Sequence, residues 1–379
     1  MSGPLEGLRV VEIASLAPGP FAAMILADLG AEVIRVDRAD DAGGLLAPTG
    51  VLDRGRTSIS VDLKSAEGRD VVLRLVETAD ILIEGFRPGV AERLGIGPDE
   101  CALRNERLIY GRITGWGQTG PLAHRAGHDI NYIALSGALH TIGRAGERPL
   151  PPVNLLGDFG GGGLLLVMGI LAAVHERSVS GTGQVVDASM VEGAALITAF
   201  LHAMHASGVW DGERGENLLD TGGAFYDTYE CSDGRFVAVG CVEPQFYAQM
   251  LEILGLADEP DLPFQYDLDN AEKLRERLAE VFSTRPRDEW TELFHHSDAC
   301  VTPVLSPWEA AEHPHNAMRG SFVRVGDIEQ PAPAPRFSRT PAADPTPGST
   351  PGADTESVLA ALGYDKDAIS SLRATGAIA

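Results

Sequence analysis

The stretch from Leu8 to Val36 restricts the fold most. Leu8-Arg9-Val10-Val11-Glu12-Ile13 has the apolar, β-branched character of a strand, and Ala17-Pro18-Gly19-Pro20 is a tight loop. Phe21 to Leu29 reads as a helix closed by Gly30, and Ala31-Glu32-Val33-Ile34-Arg35-Val36 is a second strand. Two strands joined by a helix of this length must lie parallel, because an antiparallel pair needs only a hairpin. The pattern then recurs. Ser58 to Asp62 is strand-like, Glu67 to Thr78 is an amphipathic helix, and Ala79 to Glu84 is a strand leading into Gly85-Phe86-Arg87-Pro88-Gly89. Val90 to Leu94 reads as a short helix and Arg107 to Ile113 as a further strand.

An α/β protein with an open, parallel, Rossmann-like sheet is therefore expected. Ligands of such sheets bind beyond the carboxyl ends of the strands, and Arg38, Arg54, Arg56, Lys64, Arg87 and Arg93 cluster there in sequence. The first loop lacks G-x-G-x-x-G, so nothing points to a nicotinamide cofactor. Beyond it, Gln184 to Asp187 reads as a strand and Ala188 to His205 as one long helix. Tyr226 to Cys241 forms an antiparallel hairpin, and Pro244, Ala271 to Phe282 and Arg287 to His295 mark helices of an α+β kind. The expected organisation is a large domain over residues 1–200, a linker over 201–224, a small α+β domain over 225–320, and a return segment over 321–379 packing on the large domain.

The net charge of −24 argues against nucleic acid as a partner. Residues 1–125 hold 14 basic against 18 acidic side chains, so the remainder carries −20. An anionic ligand should sit against the first third. No stretch reaches the about 18 uncharged apolar residues that a membrane span needs, the nearest being the glycine-interrupted run Phe159 to Val174; Leu164 to Val174 reads as a buried helix, and no membrane partner is expected. The first residues show no secretion-signal pattern and the last no peroxisomal address. Four cysteines without a C-x-x-C pair suggest neither disulfides nor zinc, and a cytoplasmic setting fits.

Chemistry concentrates between Gly127 and Gly163. Gly127-His128-Asp129-Ile130-Asn131-Tyr132 opens a helix expected to run from Asp129 to His140, and Gly157-Asp158-Phe159 is followed by four glycines. A histidine at a helix N-terminus stays neutral and basic, and the backbone N–H groups from Asp129 onward can receive charge developing on an oxygen. Asp158 is expected to begin a glycine-rich helix whose bare backbone would let a substrate approach. Together these groups suit proton transfer alpha to a carbonyl. The bland alternatives stand beside this: Asp158 as a helix N-cap, His128 as a hydrogen-bonded structural residue, and each arginine as a solvated surface group.

The resemblance of several motifs in series weighs between them. Pro4 to Glu12, Leu26 to Asp37, Asp62-Leu63-Lys64, Gly115-Trp116-Gly117-Gln118-Thr119-Gly120-Pro121, Gly127 to Tyr132, and Gly157 to Gly162 are similar to the family III CoA-transferase superfamily. The resemblance implies an interlocked homodimer with a large CoA-binding domain. It implies that His128 and Asp158 are the acid/base pair, that Glu243 orients the histidine, and that the Asp129 backbone N–H stabilises a thioester enolate. Arg38, Lys64, Arg87 and Arg93 would contact CoA. Within the superfamily the chain looks most like the branch that interconverts the epimers of 2-methylacyl-CoA thioesters, which needs no metal or other cofactor. The alternative is a true CoA-transferase in which Asp158 attacks the thioester as a nucleophile.

Overall fold

The computed structural model describes residues 3–38 and 50–379. The chain divides into two compact units, one formed by residues 1–136, 153–197 and 319–379 and the other by 137–152 and 198–318.

The first unit holds six parallel strands: β1 (Arg9–Ile13), β2 (Glu32–Asp37), β3 (Arg56–Ser60), β4 (Ile81–Glu84), β5 (Ile109–Thr114) and β6 (Val185–Ser189). Their spatial order, β3-β2-β1-β4-β5-β6, is that of a doubly wound Rossmann sheet. The expected α/β class is thus what the chain adopts. Alternation along each strand sends successive apolar residues to opposite faces. Val11, Ile34, Ile59 and Leu82 enter one core with Val71, Val72 and Leu75 of the helix Ala66–Thr78. Val10, Val33, Ile81 and Ile109 enter the other with Ala22, Ala23 and Leu26 of the helix Pro18–Asp28 and with Leu166 and Ile170 of the helix Leu165–Ser180. Both faces being covered explains why these strands read as continuous apolar runs.

Two arginines expected near a ligand instead hold the fold. Arg54 is 2% exposed and grips the Asp28 carboxylate with two nitrogens, at 3.0 and 2.5 Å, while donating to Gln330 Oε1 at 2.8 Å and the Pro331 carbonyl at 2.7 Å. Arg56 pairs with the fully buried Glu12 and with Asp53. Arginine reads as exposed in a sequence because burial of its charge demands partners that are distant along the chain. The segment closing onto this network includes two helices, Thr355–Ala361 and Lys366–Ala374, and ends with an antiparallel bridge from Ile378 to Val61.

The continuous helical run Leu155–Ser180 is long and apolar enough to cross a membrane by length and composition, contrary to the expectation that no stretch would be. Here Leu166, Val167, Ile170 and Ala173 are buried in the core beneath the sheet.

The second unit carries an antiparallel sheet of β7 (Tyr226–Glu230), β8 (Phe236–Gly240) and β9 (Val301–Pro303). Helices Pro244–Leu254, Ala271–Phe282 and Arg287–Phe294 close its core around Phe282, Trp290 and Phe294. Residues 137–152 belong to this unit, tied in by Arg144, which donates to both oxygens of the buried Asp227 at 2.9 and 3.1 Å. In the first unit, β10 (Phe322–Val325) and β11 (Ile328–Pro331) form a further hairpin.

Candidate active site

In a Rossmann sheet the strand order reverses between β1 and β4, leaving a crevice at their carboxyl ends. A cavity of about 380 Å³ opens there. Its lining includes Ser15 and Ala17 after β1, Gly85, Phe86 and Arg87 after β4, and Thr114 to Trp116 after β5. Arg38, His128, Tyr132 and Asp158 line it as well. The structure therefore brings four of the expected residues, His128, Asp158, Arg38 and Arg87, to one place. Both arginines come from the first third of the chain, where the charge distribution put an anionic ligand. Lys64 and Arg93 are exposed outside that lining.

His128 is the N-cap of the helix Asp129–Leu135, and its backbone N–H donates to Asn131 Oδ1 at 3.0 Å. Its side chain is exposed and can be reached by a ligand in the cavity. The helix is shorter than expected because Gly137 adopts φ 88°, a left-handed conformation open to glycine, and the chain restarts as a 3-10 turn at Ala138–Thr141. Tyr132 braces the loop before it. Its hydroxyl donates to the Gly127 carbonyl, and its ring meets Trp116 edge-on with centroids 4.8 Å apart. Burial pushes the Tyr132 phenol up to about 12, so it remains a donor at neutral pH.

Asp158 does not begin a helix. It is the fourth residue of a π-helical segment, Leu155–Leu164, that runs directly into Leu165–Ser180. π-helical turns inside longer helices are frequent at functional sites. Nor do its glycines serve mainly as an open approach. Gly161, Gly162 and Gly163 are buried, and a Cβ on Gly161 would stand 2.5 Å from the Ala194 nitrogen of the helix Met190–Ile197. The absence of side chains lets two backbones cross closely, and that crossing fixes where Asp158 emerges.

The Asp158 carboxyl is half-buried, and its pKa is raised above the usual 3.8. Burial is the main cause; a hydrogen bond from Asn154 opposes it, the nearby Asp129 carboxylate adds to it, and His128 opposes it. The Asn154 amide donates to Asp158 Oδ2 at 2.9 Å. Asn154 escapes notice in the sequence because an asparagine beside a proline-rich turn is ordinary turn chemistry. Glu84 and Arg112 did leave a signal, as two charges inside otherwise apolar parallel strands. Arg112 donates to Glu84 at 2.7 Å, and Glu84 accepts from the Phe86 N–H at 2.6 Å, which shapes the turn presenting Arg87.

Glu243 is the exposed N-cap residue of the helix Pro244–Leu254 in the second unit, and its side chain makes no capping hydrogen bond. Among the described residues no group of three or more His, Cys, Asp or Glu side chains is placed to hold a metal ion.

This is a doubly wound α/β sheet with a histidine, an aspartate and two arginines lining the crevice at its switch point. The chain belongs to CoA-transferase family III, whose model matches residues 5–355. It is 48% identical over 371 residues to the alpha-methylacyl-CoA racemase of Mus musculus, covering 97% of this chain and 96% of that protein. It is 45% identical over 371 residues to the alpha-methylacyl-CoA racemase of Homo sapiens, with the same coverage. Among solved structures, a CAIB/BAIF family protein from Brucella suis superposes with a TM-score of 0.83 at 27% identity, over 96% of this chain and 100% of that one.

Proposed function

We propose that this enzyme interconverts (R)- and (S)-2-methylacyl-CoA thioesters by removing the alpha proton on one face and returning a proton on the other. The observation that carries the reading is that His128 and Asp158 line a single cavity together with Arg38 and Arg87. Two groups able to exchange protons, approaching one carbon from different sides, are what inversion of a C–H centre requires. His128 takes the proton from one epimer while Asp158, whose half-burial raises its pKa and so eases its protonation, delivers one to the opposite face; the roles reverse for the other epimer. Negative charge passes to the thioester oxygen in the enolate, where the Asp129 N–H at the start of its helix stabilises it. Arg38 and Arg87 bind the anionic part of CoA, with Lys64 and Arg93 further out. The step moves only a proton and asks for no metal or redox group.

Glu243 orients the histidine, and the two copies of an interlocked homodimer complete each other's sites. In support, the helices carrying the site leave large apolar side chains on the surface, with Leu135 and Leu155 both 62% exposed and Met168 and Leu196 both 58%. Large apolar groups left in solvent are what a partner copy would cover.

The reading is tested by incubating one epimer of a 2-methylacyl-CoA with the enzyme in deuterated water, without an acceptor acid. Deuterium should enter the alpha position as optical purity is lost. CoA movement only when a free carboxylic acid is supplied, with the alpha proton retained, would make Asp158 a transferase nucleophile instead.

A further inference from the structure

Asp129 is 4% exposed, and its carboxylate faces away from solvent. Oδ2 accepts from the Gly157 N–H at 2.6 Å and from the Asp158 N–H at 2.7 Å. Oδ1 is buried with no hydrogen-bond partner among the described residues. Gly157 and Asp158 lie in the first turn of the π-helical segment, where backbone N–H groups lack intrahelical acceptors. The acceptor comes from 28 residues away in sequence for the first of them. Contact is close enough that a Cβ on Gly157 would stand 2.7 Å from Oδ2, so glycine is required at that point.

We infer that the Asp129 carboxylate is a positioning residue that locks the Asp158 backbone to the helix bearing His128, setting the two proton carriers in a fixed relation. This deepens the racemase reading and rests on it. The residue following His128 holds the N–H of Asp158 itself, so a displacement of either group is passed to the other. The charge has a second effect, since an ionised Asp129 beside Asp158 opposes ionisation of the latter and favours its proton-donating form. A purely structural helix tie would contribute stability alone.

Three variants of the full-length enzyme separate these roles. Asp129→Asn retains one acceptor oxygen and removes the charge; Asp129→Ala removes both; Gly157→Ala forces the carboxylate away from the other side. Two quantities are read: the titration of the Asp158 carboxyl by carbon-13 NMR, assigned with Asp158→Asn, and kcat and KM for epimerisation across pH. Asp129→Asn should move the Asp158 midpoint, and the matching limb of the rate profile, to lower pH. Asp129→Ala and Gly157→Ala should lower kcat by about 100-fold with KM changed only a few-fold, the penalty for misplacing a reacting group by about an ångström. Variants that lose thermal stability but keep the wild-type Asp158 midpoint and kcat would overturn the inference. The NMR titration does not depend on the reaction. A wild type that exchanges no alpha proton defeats the racemase reading, whereas an active wild type whose Asp129→Ala and Gly157→Ala variants keep its kcat defeats the positioning role.

Discussion

Asp158 illustrates what function asks of a single residue. Its carboxyl is half-buried, and burial raises its pKa above 3.8 in the folded chain. A group raised in this way favours the folded state most when protonated, so its contribution to stability is present below the unfolded pKa and is lost as pH rises through the folded one. At neutral pH the ionised side chain therefore opposes folding. Asp158→Asn should abolish epimerisation while raising the melting temperature at pH 7, and the gain should shrink as the pH falls toward 4. Calorimetry over that range checks it, and a lower melting temperature at pH 7 would show that the carboxylate is better stabilised than its surroundings suggest. The residues alone left His128 and Asp158 open between site and structural roles, since aspartate is an ordinary helix cap; the run of family-like motifs singled them out, and the structure brings both to one cavity. Arg54 and Arg56 were misread for the opposite reason: Asp28, Gln330 and Glu12, which permit their burial, are far away in sequence.

Among the elements, the π-helical segment and the helix Met190–Ile197 form the tightest joint of the site. A Cβ on Gly193 would stand 1.8 Å from the Gly161 carbonyl oxygen, whereas one on Gly160 meets nothing nearer than 3.3 Å. The contrast gives a paired prediction. Gly193→Ala should destabilise the enzyme by roughly 3 kcal/mol, at the upper end of overpacking costs, and should impair turnover because Asp158 rides on the displaced segment. Gly160→Ala should change stability by less than about 1 kcal/mol, since alanine is the better helix former. Urea denaturation with activity measured on the same samples decides it, and equal effects from the two substitutions would mean the crossing can relax. Glycine-rich sequence announced close approach here but not the approaching partner, and periodicity carries no information on that point. Turn chemistry was equally local: the same apolar spacing that suggested one helix from Asp129 to His140 continues across Gly137, where the backbone breaks it.

At the scale of the molecule, the parallel sheet was legible because each βαβ unit declares itself within about thirty residues. The order β3-β2-β1-β4-β5-β6 and the placement of residues 137–152 in the second unit rest on contacts between distant segments, which no local pattern encodes. The same limit applies between chains, where Glu243 acts in the proposal on a histidine of another copy. Complementation tests that sharing. His128→Ala and Glu243→Gln enzymes, each crippled alone, are unfolded together and refolded at equal concentrations. If every site draws its histidine from one copy and its glutamate from the other, a hybrid dimer holds one intact site and one doubly altered site. Half of the dimers are hybrids by random pairing, so activity should recover to about a quarter of wild type. If His128 and Glu243 of one chain served the same site, each site in a hybrid would carry one lesion, and activity would stay at the level of the separate variants.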